Sequence, residues 1–391
     1  MASCIPPDRF SENDLKKALE YASSNLGFVD GFRVEQREAL TSFLRGHDLF
    51  VSLPTGFGKS VIFQAAPYCV DYLRKLQDPD IYTPKSLVIA VMPLKSLISD
   101  QLNRAKDLRL EAADMTGGVT DHISEGISSG KFSVLYASPE SLLGDEGKDL
   151  FDIPALKERL CGLVIDESHC VTKWGTSSGD TKVFRSAYGK LGEVRAKLKS
   201  SVPTIALTAT STKQVRRSVA DNLGLRNFVS ISKSPEKRNI KHAAFKARKD
   251  FDSMFGWLID DVKTMGDGCD RVIIYRSPGR WYVDMFHTNT EHDVQQSIIE
   301  SFSHEDGCVR VLIATIAYGM GVDVKCVYST IICGRCTDLD DYMQMSGRIG
   351  RDGKPSVAIT IQFPGDVAGR TMTESMKDFM KGDRCRREVV R

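Results

Sequence analysis

Short, continuously apolar runs recur along the chain with long gaps between them: Asp48–Leu53, Ser86–Pro93, Phe132–Pro139, Cys161–Glu167 and Thr204–Thr210. A strand with one face in water alternates apolar and polar residues, whereas a run apolar at successive positions is buried on both faces. Such strands need cover on both sides, and helix-like stretches such as Lys95–Lys106 and Lys213–Asn222 stand between them. A parallel sheet flanked by crossover helices meets both demands. A second series follows with Arg271–Tyr275, Val309–Thr315, Ser329–Cys333 and Ser356–Phe363, after the polar, basic stretch Lys233–Asp250. The reading is an α/β protein of two tandem domains, residues 1–230 and 231–375, each a parallel sheet between helices, with a short tail at 376–391.

Composition narrows the function classes. Lys and Arg total 53 against 51 Asp and Glu, a formal charge of +2, so nucleic-acid affinity has to come from local patches rather than bulk charge. No apolar run approaches the roughly 20 residues of a membrane span, and Met1–Asp14 lacks the apolar stretch of a secretory signal. Ten scattered cysteines, most in apolar runs, fit reduced thiols. An intracellular protein with no membrane partner is expected.

Chemistry concentrates where strands end. Leu53-Pro54-Thr55-Gly56-Phe57-Gly58-Lys59-Ser60 follows a strand and opens a helix-like run. Gly56 and Gly58 let the backbone turn so that successive N–H groups face one anion at the helix N-terminus. Thr55 belongs to the same loop, Lys59 would reach the β- and γ-phosphates, and the Ser60 hydroxyl would join a Mg²⁺ shell. Leu53 stands where the strict phosphate-loop pattern has Gly, so an ordinary Gly-Lys-Ser turn is the bland alternative; strand before and helix after favour a nucleotide. Leu163–Ile165 runs into Asp166-Glu167-Ser168-His169. There Asp166 can hold Mg²⁺, and Glu167 can orient and polarise the attacking water. Taken alone, two carboxylates after a strand are a solvated loop start; with the upstream loop and Thr208-Ala209-Thr210 they read as phosphate loop, metal carboxylate and sensor on one sheet. In the second half, Gln344-Met345-Ser346-Gly347-Arg348-Ile349-Gly350-Arg351 carries two arginines flanked by glycines. Either they clamp a γ-phosphate or they form a solvated basic turn. Ala314-Thr315 and Gly319–Asp323 add a second Gly-rich turn.

The order of these motifs resembles a superfamily 2 helicase, and within it the RecQ family of DNA helicases, from about Ser11 to Gln362. Phe32–Gln36 resembles the family's adenine-reading motif, which implies Phe28 as stacking residue and Arg33 and Gln36 as adenine contacts. Thr55–Ser60 resembles motif I. Asp166–His169 resembles the DEAH box with Ser168 for Ala, so His169 joins the catalytic set. Thr208–Thr210 matches motif III, Asp323 falls in motif V, and Gln344, Arg348 and Arg351 match motif VI, Arg351 as arginine finger. Cys170–Gly175 with Phe184, Arg185 and Tyr188 resembles the aromatic-rich loop that couples DNA contact to hydrolysis. Exposed Trp174 and Phe184 beside Lys173 and Arg185 are also what base stacking with phosphate contact requires. Here Thr176–Val183 is a polar insertion relative to the family. Lys95 and Ser96, Thr116, and Ser138 resemble motifs Ia, Ib and Ic, suited to gripping phosphates without reading sequence. The resemblance implies two RecA-like lobes, ATP and Mg²⁺ as cofactors, single-stranded and partly duplex DNA as partner, 3′–5′ translocation and a nuclear location.

Two departures set further expectations. Between Tyr275 and Val283 stand too few residues for a parallel crossover, so the second domain reads as shortened by about one β–α unit, with an exposed edge or uncovered apolar face near 276–282. The tail at Cys385 resembles the opening of the family's zinc-binding segment without its remaining ligands, and Cys333-Gly334-Arg335-Cys336 has no partner pair, so no zinc is expected. The competing readings are a truncated form that binds ATP and DNA without unwinding, and an RNA helicase of the DEAD/DEAH kind.

Overall fold

In the computed structural model the apolar runs are strands, and the residues described are 10–79, 85–171, 186–247, 251–276, 297–298, 301–302, 307–314, 326–334, 336–363, 372–382 and 385–390. The chain divides into two units with the boundary between Lys233 and Ser234.

The first unit is built on β1 (Leu49–Ser52), β2 (Leu87–Val91), β3 (Ala112–Asp114), β4 (Val134–Ala137), β5 (Leu160–Ile165), β6 (Thr204–Thr208) and β7 (Val229–Ser232). They form one sheet of order β3-β4-β2-β5-β6-β1-β7, and every pairing is parallel. All residues of β1, β2, β4, β5 and β6 are buried, which is why those five segments carry no alternation. The edge strand β3 and edge strand β7 are short and partly exposed, and their sequences lack the continuous apolar signature. Helices Glu12–Asn25, Val34–Leu44 and Lys59–Gln77 pack through Leu15, Leu19, Leu40, Phe43, Phe63 and Leu73 into a core shared with Val51, Val88 and Leu207. Each large side chain buried this way contributes about 1.5–3 kcal/mol relative to exposure.

The polar ends of this sheet are tied by buried charges. Asp48 accepts from the Thr204 amide at 2.8 Å, from Arg195 at 2.5 Å and from the Arg226 amide at 3.3 Å, joining β1, β6 and β7 at their starts. Arg159 is 1% exposed and donates to the carbonyls of Lys85, Gly126, Ile127 and Phe132. One guanidinium thus draws four carbonyls together, two of which, Gly126 and Ile127, also accept the Lys131 and Gly130 amides.

The second unit has β8 (Ile240–Lys246), β9 (Arg271–Arg276), β10 (Val311–Ala314), β11 (Val327–Cys333) and β12 (Ser356–Gln362) in the order β10-β9-β11-β12-β8, again with parallel pairings. β8 lies inside the polar, basic stretch Lys233–Asp250; it is an edge strand whose residues after Ile240 are half-exposed or exposed, so no apolar run marks it. Lysines on an edge strand also discourage pairing with a foreign strand. The helix Phe251–Met265 sets Phe255 and Leu258 against Val272, Ile274, Ile331 and Ile361 on one face of this sheet. Tyr342, Met343, Met376 and Phe379 fill the other with Ile273, Leu312 and Ile332. The short stretch expected to replace a crossover lies, after Arg276, outside the described residues. Cys333 and Cys336 are buried in two different core clusters, as packing residues.

Candidate active site

Parallel strands deliver their C-terminal ends to one edge of the sheet, where α/β proteins place their ligands. In the first unit the ends of β5, β6 and β1 are neighbours, and each carries one of the motifs: Asp166–His169, Thr208–Thr210 and Thr55–Ser60. The ends of β2, β4 and β3 continue the same edge and lead to Lys95 and Ser96, Ser138, and Thr116. Strand order thus sorts the candidate nucleotide residues onto one half of the edge and the candidate nucleic-acid residues onto the other.

The phosphate loop turns through left-handed backbone at Gly56 (φ 81°) and Gly58 (φ 86°), and the helix Lys59–Gln77 starts immediately after it. The helix has no side-chain cap, and while the Val61 amide donates to the Gly58 carbonyl at 3.2 Å, the Lys59 and Ser60 amides are presented to an anion. Lys59 folds its ammonium onto the Leu53 carbonyl at 3.3 Å. Ser60 is half-buried on the first turn, and Thr55 is half-buried at the loop's start.

Gln36 holds this loop from behind. Its Oε1 accepts the Arg33 amide at 2.9 Å, and its Nε2 donates to the carbonyls of Phe57 at 3.3 Å and Gly58 at 3.0 Å. Arg33, exposed at the start of the helix Val34–Leu44, donates from a guanidinium nitrogen to the Phe57 carbonyl at 3.0 Å. Phe28 is half-buried, its ring 5.9 Å from that of Phe32, and it packs against the unit's core.

The acidic box follows β5 without a break. The Asp166 amide donates to the Val91 carbonyl at 2.9 Å, and one Asp166 carboxylate oxygen accepts the Glu167 amide at 2.9 Å. Glu167 adopts φ 46°, a left-handed conformation uncommon for a side-chain-bearing residue and of the kind that clusters at functional sites. Burial and the adjacent Glu167 push the Asp166 pKa up to about 6, against the pull of Lys59, the Glu167 amide and His169. A carboxylate and a hydroxyl are hard-oxygen donors of the kind Mg²⁺ takes, so Asp166 and Ser60 are the residues that could hold it. His169 Nδ1 lies 3.1 Å from the Thr208 hydroxyl and 3.3 Å from Glu167. Burial opposes its protonation, but Cys170 and Glu167 outweigh burial and raise its pKa. Thr208 in turn donates to the Thr210 carbonyl at 2.8 Å, so His169 joins the acidic box to the end of β6.

Among the candidate nucleic-acid residues, Lys95 and Ser96 are exposed on the first turn of the helix Lys95–Asp107. The Thr116 amide donates to Asp114 at 2.8 Å. Ser138 is buried, and its hydroxyl accepts the Ser141 amide at 3.2 Å in a capping box; here that hydroxyl secures a helix start. Trp174, Phe184, Arg185 and Asp323 lie outside the described residues. Tyr188 is fully buried, its hydroxyl 3.5 Å from the Asp166 carbonyl.

In the second unit Gln344 lies on the helix Leu339–Ser346, and Arg348 and Arg351 on the turn after it; Gln344 and Arg348 are buried and Arg351 half-buried. Two residues that the sequence reading passed over hold this turn. Lys237 donates to the Gly347 and Ile349 carbonyls at 2.8 and 3.3 Å, on either side of Arg348. Asn239 donates to Gly350 and Lys354 carbonyls at 2.9 and 2.8 Å. Burial, then Arg351 and Arg348, lower the Lys237 pKa to about 8. Both residues sit in the polar, basic stretch Lys233–Asp250, where nothing but their polarity marked them.

The chain resembles known proteins along most of its length. The DEAD/DEAH box helicase family model matches residues 33–218, and the helicase conserved C-terminal domain matches residues 263–353. The chain is 28% identical to the ATP-dependent helicase wrn-1 of Caenorhabditis elegans over 92% of its own length and 33% of that protein. To the probable ATP-dependent DNA helicase RecS of Bacillus subtilis it is 31% identical, over 87% of this chain and 66% of the relative. It therefore spans about a third of the first relative and about two thirds of the second. A crystal structure of the DUF1998 helicase MrfA bound to DNA matches 93% of this chain and 52% of that one, with a TM-score of 0.67 at 16% identity, a likeness of fold.

Proposed function

We propose, from a chain that belongs to the RecQ family of DEAD/DEAH box helicases, that it is an ATP-dependent DNA helicase core that couples ATP hydrolysis to movement along single-stranded DNA. The observation that carries this reading is the sorted edge of the first sheet, with Lys59, Asp166 and Glu167 gathered at the ends of β1 and β5 and Lys95, Ser96 and Thr116 beyond them. A motor needs its nucleotide and its track on one rigid element, so that a change at one is felt at the other.

The amides at the start of the helix Lys59–Gln77 and the Lys59 ammonium bind the triphosphate. Ser60 and Asp166 would hold Mg²⁺, which supplies neutralisation of developing charge on the phosphates. Glu167 orients the attacking water and accepts its proton, and His169 passes the state of the acidic box to Thr208. Arg33 and Gln36 read the adenine, with Phe28 stacking. By resemblance to motif VI, Gln344, Arg348 and Arg351 join the hydrolytic set, with Arg351 as the finger that offsets phosphoryl charge. Asp323 belongs to the same nucleotide set.

On the track side, Lys95, Ser96 and Thr116 grip the backbone through side chains and amides, while Trp174, Phe184 and Arg185 stack on bases and neutralise phosphate. Polarity 3′–5′ and a nuclear setting are part of the proposal, the first by resemblance to the family and the second by likeness to eukaryotic relatives such as wrn-1. Among the described residues no helix is long and apolar enough to cross a membrane. The test is strand displacement on partly duplex DNA with a 3′ or a 5′ single-stranded tail, with RNA of the same sequence as comparison. ATP-dependent displacement confined to the 3′-tailed DNA is expected. Displacement of RNA alone would assign the chain to the RNA helicases. Trp174→Ala should lose stimulation by single-stranded DNA while keeping basal ATP turnover, and equal loss of both would remove its coupling role.

A further inference from the structure

The phosphate loop carries a large side chain at a position where binding phosphate requires only backbone. Phe57 stands between Gly56 and Gly58, and its half-buried ring packs against the core of the first unit. Two cations lie against that ring: the Arg33 guanidinium carbon is 4.6 Å from its centroid, and the Lys233 ammonium is 4.7 Å from it. Neither cation is loosely placed. Arg33 also donates to the Phe57 carbonyl at 3.0 Å. Lys233 donates from its side chain to Glu35 at 2.6 Å and from its amide to the Ser52 carbonyl at 2.9 Å. Gln36 reaches the same backbone, donating to the Phe57 and Gly58 carbonyls at 3.3 and 3.0 Å. Three segments distant in sequence thus converge on one ring and its peptide: the start of the helix Val34–Leu44, the phosphate loop and the residue following β7.

We propose that Phe57 is the positioning residue for base recognition, its ring fixing the Arg33 guanidinium, and its peptide Gln36, against the phosphate loop so that base and triphosphate are read together. The inference rests on the reading of Arg33 and Gln36 as base contacts. Arg33 is exposed and has a long flexible side chain, and without the ring its guanidinium would have to be ordered anew by each nucleotide. A cation over an aromatic face at an exposed site biases a conformer by about two- to fivefold. A leucine fills similar volume but has no quadrupole with which to hold the cation, whereas a tyrosine keeps it.

The experiment compares Phe57→Leu and Phe57→Tyr with the parent chain, each assayed for turnover of ATP and of GTP across a concentration series. Phe57→Leu should raise KM for ATP about two- to fivefold while kcat falls less than twofold, and should shrink the preference for ATP over GTP by about the same factor. Phe57→Tyr should retain both. The proposal is overturned if Phe57→Leu leaves KM and nucleotide preference unchanged, if both nucleotides weaken equally, if Phe57→Tyr is as impaired as Phe57→Leu, or if the parent chain does not distinguish ATP from GTP. A parent chain that turns over neither nucleotide overturns the nucleotide-site reading itself. A parent that prefers ATP beside an unaltered Phe57→Leu overturns only the role of Phe57.

Discussion

Gly58→Ala is the substitution whose cost follows most directly from the geometry of the phosphate loop. Gly58 has φ 86°, and a left-handed backbone costs a residue with a Cβ about 1–2 kcal/mol. A Cβ built there would also stand 2.7 Å from Gln36 Nε2. Gln36 is 5% exposed and has little room to retreat, so the collision breaks its bonds to the Phe57 and Gly58 carbonyls, each worth about 1 kcal/mol. The sum is about 3–4 kcal/mol. If the loop keeps its shape, the loss falls on stability and lowers the first unit's melting temperature by about 6–16 °C, at 2–4 °C per kcal/mol for a unit of this size. If the loop relaxes, the loss falls on ATP affinity instead, about tenfold for each 1.4 kcal/mol. Gly56→Ala is the internal control: its φ is 81°, but nothing lies within 4 Å of the added Cβ, so only the backbone component remains. Thermal unfolding and equilibrium ATP titration of both variants should therefore differ by about 2 kcal/mol in their summed losses. Equal summed losses for the two variants would refute the role given to Gln36, and no loss in either would refute the strained-loop geometry.

Further expectations concern the catalytic carboxylate and the buried cations. Glu167→Gln should still bind ATP but lower single-turnover hydrolysis by about 10²–10⁴-fold, the usual contribution of a positioned general base. Arg159→Met leaves the carbonyls of Lys85, Gly126, Ile127 and Phe132 without their shared donor. It should destabilise the first unit by about 3–5 kcal/mol in urea titration. Lys237 has its pKa lowered from 10.5 to about 8 in the folded chain, so between those values the unfolded chain binds more protons. The second unit should accordingly gain stability as pH rises from about 8 towards 10.5, by at most about 3 kcal/mol, and Lys237→Met should remove that rise.

What the sequence revealed and what it hid divide along physical lines. Strands buried on both faces, such as Leu49–Ser52, Val134–Ala137 and Thr204–Thr208, announce themselves as apolar runs. Ala112–Asp114, Val229–Ser232 and Ile240–Lys246 are edge strands with partly exposed residues, and a half-solvated strand of that length has no comparable signature. The same contrast holds at the site. Lys59, Asp166 and Glu167 stand out in the sequence because phosphate and metal chemistry demand particular residue types at strand ends, and the fold sets them after β1 and β5. Lys237 and Asn239 do not, because they act on backbone carbonyls more than a hundred positions away in sequence, and any donor of the right reach would serve. Ser138 shows the converse: the motif resemblance singled out its hydroxyl for phosphate, and the fold engages it in a helix cap.

The central claim is that the edge carrying Lys59 and Asp166 hydrolyses ATP in response to a nucleic-acid strand held on the same sheet. Steady-state ATP turnover of the purified chain with Mg²⁺, with and without single-stranded DNA, and with Lys59→Ala beside it, tests this directly. The account predicts turnover that single-stranded DNA raises and that Lys59→Ala abolishes while its circular dichroism stays that of the parent. Turnover that Lys59→Ala retains, or that DNA leaves unchanged, would contradict it.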